Sequence, residues 1–260
     1  MSNFDQSIKT LKILSADVKS IIESSAKVIQ EVALCLNLNG KPLTNIACAG
    51  NYFDELAIGF LKSERIIASL DEIEKIEVEA EKNSVNIILK NKKKSSEIFV
   101  KNIASSGAHG KSVNTDLLLP LKVPVDFNIK AQVALELMEE LLEKSLLHNE
   151  THGTHCSALA QQGKIVALRE DIGRHNTIDM LGGYAIMQGK DLSEAIIITT
   201  GRISSEIVYK VWNLGIPAII SHSAPTTKAI ELLNKVNIML IGYVRGSRMN
   251  IYSQERRVKI

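Results

Sequence analysis

From Glu194 onward the chain alternates short apolar runs with amphipathic segments, and that alternation leaves few folds open. The runs are EAIIITT (194–200), IPAIISHS (216–223) and IMLIGYV (238–244). Between them lie SSEIVYKVWNLG (204–215), closed by Gly215, and APTTKAIELLNKVN (224–237), both with helical spacing. Apolar strands separated by helices indicate parallel βαβ units. Right-handed crossovers then carry the strand ends to one edge of a common sheet. The predicted class is α/β.

The segments before this unit are of another kind. Residues 1–25 are polar and weakly patterned, and read as a flexible N-terminal arm. EVALCLNLNGKPL (31–43) alternates apolar and polar residues around Asn39-Gly40, a strong hairpin signal. YFDELAIGFLKSERII (52–67) has helical spacing, with Asp54 and Glu55 in its first turn. IEKIEVEA and SVNIILK, either side of Glu81-Lys82-Asn83, read as a second hairpin. Residues 26–124 are therefore expected to form a small α+β domain, and residues 125–260 an α/β ligand-binding domain, the two able to pack as one unit. Pro120 and Pro124 mark the boundary. The second part opens with one long amphipathic helix over 127–149. CSALAQQGKIVALRED follows as two strands around Gly163, and GRHNTIDMLGGYAIMQGKD as a helix ended by Gly189.

Composition excludes some partners. In 260 residues, 31 basic side chains face 29 acidic ones, so there is no strong general field for nucleic acid or a membrane surface. No apolar run reaches the roughly 18–20 residues that span a bilayer. The N-terminus lacks a signal-peptide pattern, and cytoplasmic placement is the expectation. Cys35, Cys48 and Cys156 are too few and too scattered for a disulfide framework or a structural zinc site. No metal is expected.

Ligands of open α/β sheets sit beyond the carboxyl ends of the strands. After IIITT come Gly201, Arg202 and Ser204. After IIS come His222, Ser223, Ala224 and Thr226. After LIGYV come Arg245, Gly246, Ser247 and Arg248. Glycine admits a ligand to the backbone, hydroxyls and helix N-termini accept phosphate oxygens, and arginine grips phosphate with paired bonds. A phosphate-bearing, nucleotide-sized ligand fits this set. Ser204, Ser223 and Thr226 can equally be helix caps.

Two further clusters stand out. EDIGRHNTID gathers Asp171, Arg174, His175, Asn176 and Asp179, and helical spacing puts His175 and Asp179 on one face. A carboxylate there can orient an imidazole for acid–base work. HGTHCSA sets His155 beside Cys156. That thiol is either reactive, if the histidine lowers its pKa, or simply buried.

These motifs together resemble one family. EDIGRHNTIDML, TTGRISSEIVYK, SAPTTKAIEL and IGYVRGSRMNIYS are similar to successive motifs of the formate dehydrogenase accessory sulfurtransferases (FdhD). LNGKPLTNIACAGNYFDELAIGFLKSERII resembles that family's opening domain, and THGTHCSALA one of its later motifs. The likeness runs from about residue 30 to 253. It implies a cytoplasmic homodimer with a cytidine-deaminase-like three-layer main domain and a smaller N-terminal α+β domain. It implies binding of the molybdenum cofactor, bis-molybdopterin guanine dinucleotide, with GDP as a surrogate ligand and with Tyr243 to Arg248 contributing to the site. It also implies a cysteine desulfurase as sulfur donor and formate dehydrogenase as recipient.

The family's sulfur carrier is a persulfide on a Cys-Gly-x-Cys-Gly loop, which aligns with SSGAHGKS (105–112). Gly107, Gly110 and Lys111 match, while Ser106 and His109 occupy the two cysteine positions. The stretch is no phosphate loop, because Ser105 stands where its first glycine belongs. A persulfide needs a thiolate sulfur, which serine and histidine lack. Three readings follow: a cofactor-handling protein without the usual persulfide step, a sulfurtransferase acting through Cys156, or an unrelated nucleotide-processing enzyme using Asp171, His175 and Asp179.

Overall fold

The computed structural model describes residues 7–91, 118–124 and 126–260. The loop 105–112, with Ser106 and His109, lies outside the described residues.

A four-stranded sheet forms the smaller unit. It contains β3 (Val32–Leu38), β4 (Lys41–Cys48), β5 (Ile73–Glu79) and β6 (Ser84–Leu89), in the order β4-β3-β6-β5. Asn39 and Gly40 turn β3 into β4 with φ of 51° and 75°, the left-handed pair that a tight hairpin needs. Helix α1 (Phe53–Ser63) buries Leu56, Ile58 and Leu61 with Leu34, Leu36 and Ile87 of this sheet.

The larger unit has three layers. Its six strands are β8 (His155–Gln161), β9 (Lys164–Asp171), β10 (Ile196–Thr199), β11 (Ala218–Ser221), β12 (Met239–Arg245) and β13 (Arg248–Ser253). Their order is β13-β12-β11-β10-β8-β9. The pairs β10–β11 and β11–β12 are parallel, and the others antiparallel. Alternate residues of these strands point to opposite faces. Ile198, Ile220 and Ile241 pack with Leu137 and Leu141 of α2 (Ala131–Lys144). Ile197, Ile219 and Leu240 pack with α4 (Arg174–Met187), α5 (Ser205–Leu214) and α6 (Thr227–Val236). Between α2 and β8 lies the short α3 (Leu146–Thr151). Two-residue strands β7 (Ile129–Lys130) and β14 (Val258–Lys259) pair in parallel.

The two units meet where α1 crosses α4. A Cβ on Gly59 would stand 1.7 Å from the Asp179 carbonyl oxygen, and one on Gly183 would stand 1.9 Å from that of Glu55. Only glycine lets the two backbones come this close. Arg169 of β9 adds a buried pair with the Glu55 carboxylate, and its guanidinium lies 4.0 Å from the Tyr52 ring centre.

Two expectations are corrected. The N-terminal segment expected as a flexible arm contains β1 (Ile8–Ala16) and β2 (Ile21–Ile29), paired antiparallel in a sheet of their own. Its apolar residues are interleaved with Lys, Thr and Ser, which hid the alternation. The single helix expected over 127–149 is broken at Ser145. That hydroxyl donates to the Leu141 carbonyl at 2.6 Å, and the Glu170 carboxylate accepts from the Leu147 and His148 N–H groups. A carboxylate thus caps a second helix from outside it.

Candidate functional site

The carboxyl ends of β9, β10, β11 and β12 share one edge of the large sheet with the first residues of β8 and β13. Every loop named above as a binding segment leaves from it. The loops are tied together. Thr200 N–H donates to the Cys156 carbonyl at 2.9 Å, and His222 N–H to the Thr199 carbonyl at 2.9 Å. The Ser223 hydroxyl donates to the Thr200 carbonyl at 2.8 Å, and Tyr243 N–H to the Ser223 carbonyl at 3.0 Å. The Ser221 hydroxyl donates to the Gly201 carbonyl at 2.9 Å.

Several predicted ligand hydroxyls have structural partners here. The Ser204 oxygen accepts the Ile207 N–H and caps α5, and the Thr226 oxygen accepts the Ala229 N–H and caps α6. Ala224 takes the Ile203 N–H on its carbonyl at 3.4 Å. Val244 is buried in the core, whereas Tyr243 and Arg245 on either side face outward. The register shifts between Gly242 and Arg245. The Arg245 guanidinium lies 4.6 Å from the Tyr243 ring centre. Gly246, at φ 54°, and Ser247 turn the chain back to the exposed Arg248.

The densest chemistry is at the start of α4. Gly173, the residue before it, offers no side-chain cap, so the first amides of a 14-residue helix face the edge. A Cβ on Gly201 would meet Arg174 Cβ at 3.0 Å, so the Arg174 side chain lies across that glycine. Arg174 Nε and His175 Nε2 are buried without a hydrogen-bond partner. Buried donors almost always find partners, so Arg174 Nε at an uncapped helix start suits an anion, while His175 Nε2 has the Glu206 carboxylate 3.6 Å away.

Positive charge surrounds them. Burial holds the His155 imidazole below its usual pKa, and the charges of Arg174, His148 and Arg202 push it further down. Burial lowers His222 too, with Arg245 and His148 adding to the effect. His175 falls to about 3 through burial, helped by Lys210, Arg174 and His155. It is therefore neutral at pH 7. His148 Nδ1 is 2.7 Å from the Thr154 carbonyl, which it reaches as a donor.

The Asp171–His175–Asp179 arrangement is corrected. Asp171 accepts from Ala49 N–H at 2.8 Å, Gly173 N–H at 2.9 Å and the Asn176 amide at 2.6 Å. It ties α4 to the smaller unit, and burial raises it to about 6. Asp179 accepts from Lys210 Nζ at 2.7 and 2.8 Å and from the Ser63 hydroxyl at 2.7 Å. The carboxylate beside His175 is instead Glu206 of α5, 3.6 Å from Nε2.

The reactive reading of Cys156 fails as well. Cys156 is fully buried, and burial with the neighbouring Glu170 charge pushes its thiol up to about 12. Its sulfur lies 3.6 Å from that carboxylate. His155 cannot activate it, because neighbours on a strand point to opposite faces. Cys48 is likewise buried, with its thiol pushed up to about 12 by burial. Among the described residues no group of three metal-ligating side chains converges.

Two members of the site were missed as ligand candidates. His148 and Glu206 sit on other helices and reach the site only through the fold.

The three-layer unit joined to a small four-stranded sheet defines a mixed α/β protein. The chain belongs to the FdhD/NarQ family, whose sequence model matches residues 29–259. It is 31% identical to a sulfur carrier protein FdhD of Bacillus licheniformis over 95% of this chain and 96% of that one. It is 34% identical to the protein of that name from Bacillus pumilus, over 89% and 90%. Its fold matches that of a provisionally assigned formate dehydrogenase accessory protein from Desulfotalea psychrophila. There the TM-score is 0.81, with 22% identity over 97% of this chain and 99% of that one.

Proposed function

We propose that this chain is a formate dehydrogenase accessory protein that holds the molybdenum cofactor, bis-molybdopterin guanine dinucleotide, at the strand edge and assists its delivery in the cytoplasm. The orphaned donors Arg174 Nε and His175 Nε2, beside an uncapped helix start, carry this reading. They fit a diphosphate-bearing group, since they need an acceptor and sit among Arg202, Arg245, His155 and His222. Arg174 and Arg202 would take phosphate oxygens, and the Tyr243–Arg248 turn would cover the ligand's outer side. Neutral His175 can make a single hydrogen bond there without adding charge to the site. The relatives' name, sulfur carrier protein FdhD, supports a place in sulfur handling, and the structural neighbour's name points to formate dehydrogenase.

The persulfide step itself is assigned elsewhere. Ser106 and His109 provide no thiol, Cys48 and Cys156 are buried with thiols pushed up to about 12, and Cys35 lies half-buried on β3 within the smaller unit, away from the strand edge. A cysteine desulfurase would then supply sulfur to another carrier, or to the bound cofactor directly.

GDP titration tests the site. Wild type should bind, and Arg245→Ala should weaken binding at least tenfold, since a charge-assisted contact contributes about 1.5–3 kcal/mol. Unchanged affinity would remove the C-terminal turn from the site. Incubation with a cysteine desulfurase and labelled cysteine should leave no label on the protein. Label lost in Cys156→Ala would reinstate the thiol reading.

A further inference from the structure

The strand edge has two chemically different parts. One is cationic: Arg174 and Arg202 lie near His155, and Arg245 lies near His222. The other is a donor set beside an acid. His175 is 9% exposed, and its Nε2 has no hydrogen-bond partner. Glu206, in the first turn of α5, places Oε2 3.6 Å from that nitrogen. That separation is too long for a hydrogen bond. Among the described residues no side chain or amide donates to the Glu206 carboxylate. Lys210, one turn further along α5, does not neutralise it, because its Nζ is held by Asp179 and Ser63. A helix start favours an acid, which accounts for a negative charge here but not for the open imidazole beside it. The Glu206 side chain is 32% exposed, so rotation about its flexible stem admits a ligand to both groups.

A phosphate oxygen suits this second part poorly. It could accept from Nε2, but it would then stand against the carboxylate, and like charges at such range repel. The carboxylate also favours the imidazole tautomer that carries its proton on Nε2. The pair therefore presents one donor and, next to it, two acceptor oxygens. Its complement is an uncharged ring edge with a carbonyl oxygen followed by N–H donors. The amino-oxo-pyrimidine edge shared by guanine and pterins has that order: carbonyl, ring N–H, amino group. Adenine has an amino group where the carbonyl stands and a bare ring nitrogen beside it.

We propose, on the cofactor reading of this edge, that His175 and Glu206 select the ring of the ligand: Nε2–H donates to the carbonyl oxygen of a guanine or pterin, and the Glu206 carboxylate accepts from the ring N–H and the amino group. The arginines then hold phosphate whatever the base, and this pair rejects ligands that cannot match it. A site built to hydrogen-bond a ligand group discriminates strongly against an analogue lacking that group, because its own polar atoms are left unpaired.

Nucleotide titrations of the full chain test the pair. Wild type should bind GDP about tenfold more tightly than inosine diphosphate, which lacks only the amino group, and ADP more weakly still. Glu206→Ala should erase most of that preference, and the isosteric Glu206→Gln part of it. Inorganic pyrophosphate should compete in both variants at least as well as in wild type, since a negative charge is gone. Pterin and lumazine, in which an oxo group replaces the amino group, separate the two ring sources. A GDP preference that depends on Glu206 assigns the guanine end of the cofactor. A Glu206-dependent preference for pterin over lumazine, with GDP and inosine diphosphate equal, assigns the pterin end. Equal binding within both pairs, or preferences unchanged in both variants, would overturn the proposal while the phosphate site stands. So would a fall in all ligands together, pyrophosphate included, which marks a structural role for Glu206. Wild type that binds neither nucleotides nor pyrophosphate would overturn the cofactor reading itself, and the ring selection with it.

Discussion

Helix α4 contains two polar clusters one turn apart, and they have opposite characters. Around Asp179 every donor and acceptor is matched: Lys210 and Ser63 close on the carboxylate from α5 and α1. Around Arg174 and His175 buried nitrogens are left without partners. A buried ion pair with complete hydrogen bonding is a structural joint, whereas unmet donors are a vacancy in the hydrogen-bonding pattern that a ligand can fill. The difference separates what holds the two units together from the cluster proposed above as the ligand site.

Removing one side of the joint should have the largest effect. Lys210→Met leaves Asp179 buried without its cation and should cost about 3–5 kcal/mol, read from denaturant unfolding. A loss below about 1 kcal/mol would mean that the pair is not the joint described. Gly183→Ala should come next. Its methyl would enter the space of the Glu55 carbonyl, and overpacking of this kind costs about 1–3 kcal/mol. An unchanged midpoint would show that the helices can separate freely.

At the open end the test is pH. The His175 imidazole titrates near 6.5 when unfolded and near about 3 when folded, so protons bind the unfolded chain better in that window. The stability linked to neutral His175 is complete above the higher value and is lost as pH falls toward the lower one, by about 1.4 kcal/mol per unit. Asp171 has the opposite sign, since its folded value is raised to about 6. Its contribution is present at low pH and is lost as pH rises through that value. His175→Gln should therefore flatten or invert the acid limb of unfolding free energy between pH 6 and 4. A variant curve parallel to wild type would show that His175 is not the buried neutral group.

Arg174→Ala should change stability least, by about 0.5 kcal/mol or less, because its Nε has no partner to lose. GDP affinity should nevertheless drop at least about tenfold. If stability fell as far as in Lys210→Met while affinity held, the contrast between the two clusters would be wrong.

Much of this molecule was legible in its sequence. Regular structure is encoded locally, by apolar period and by turn residues such as Asn39-Gly40, Gly163 and Gly215. The alternation after Glu194 predicted parallel strands and where their ends would gather, and the loops rich in Arg, Gly and Ser do lie on one edge. The helix spacing of His175 and Asp179 was right, but spacing cannot say what stands opposite. Asp179 turned to Lys210, and His175 came to Glu206. The Ser145 break escaped notice because the cap comes from Glu170, on a strand that pairs elsewhere. The sequence left Cys156 next to His155 as either a reactive or a buried thiol, and the fold buries it, since a strand sends neighbours to opposite faces and this one went to the dry side.

What the sequence determined by itself was therefore the set of elements, their order and the chemical types available at each junction. Those follow from interactions over a few residues. Only the tertiary structure decided which charges were satisfied and which were left for a ligand. Desolvation and pairing depend on groups that meet across distances along the chain to which no local pattern responds.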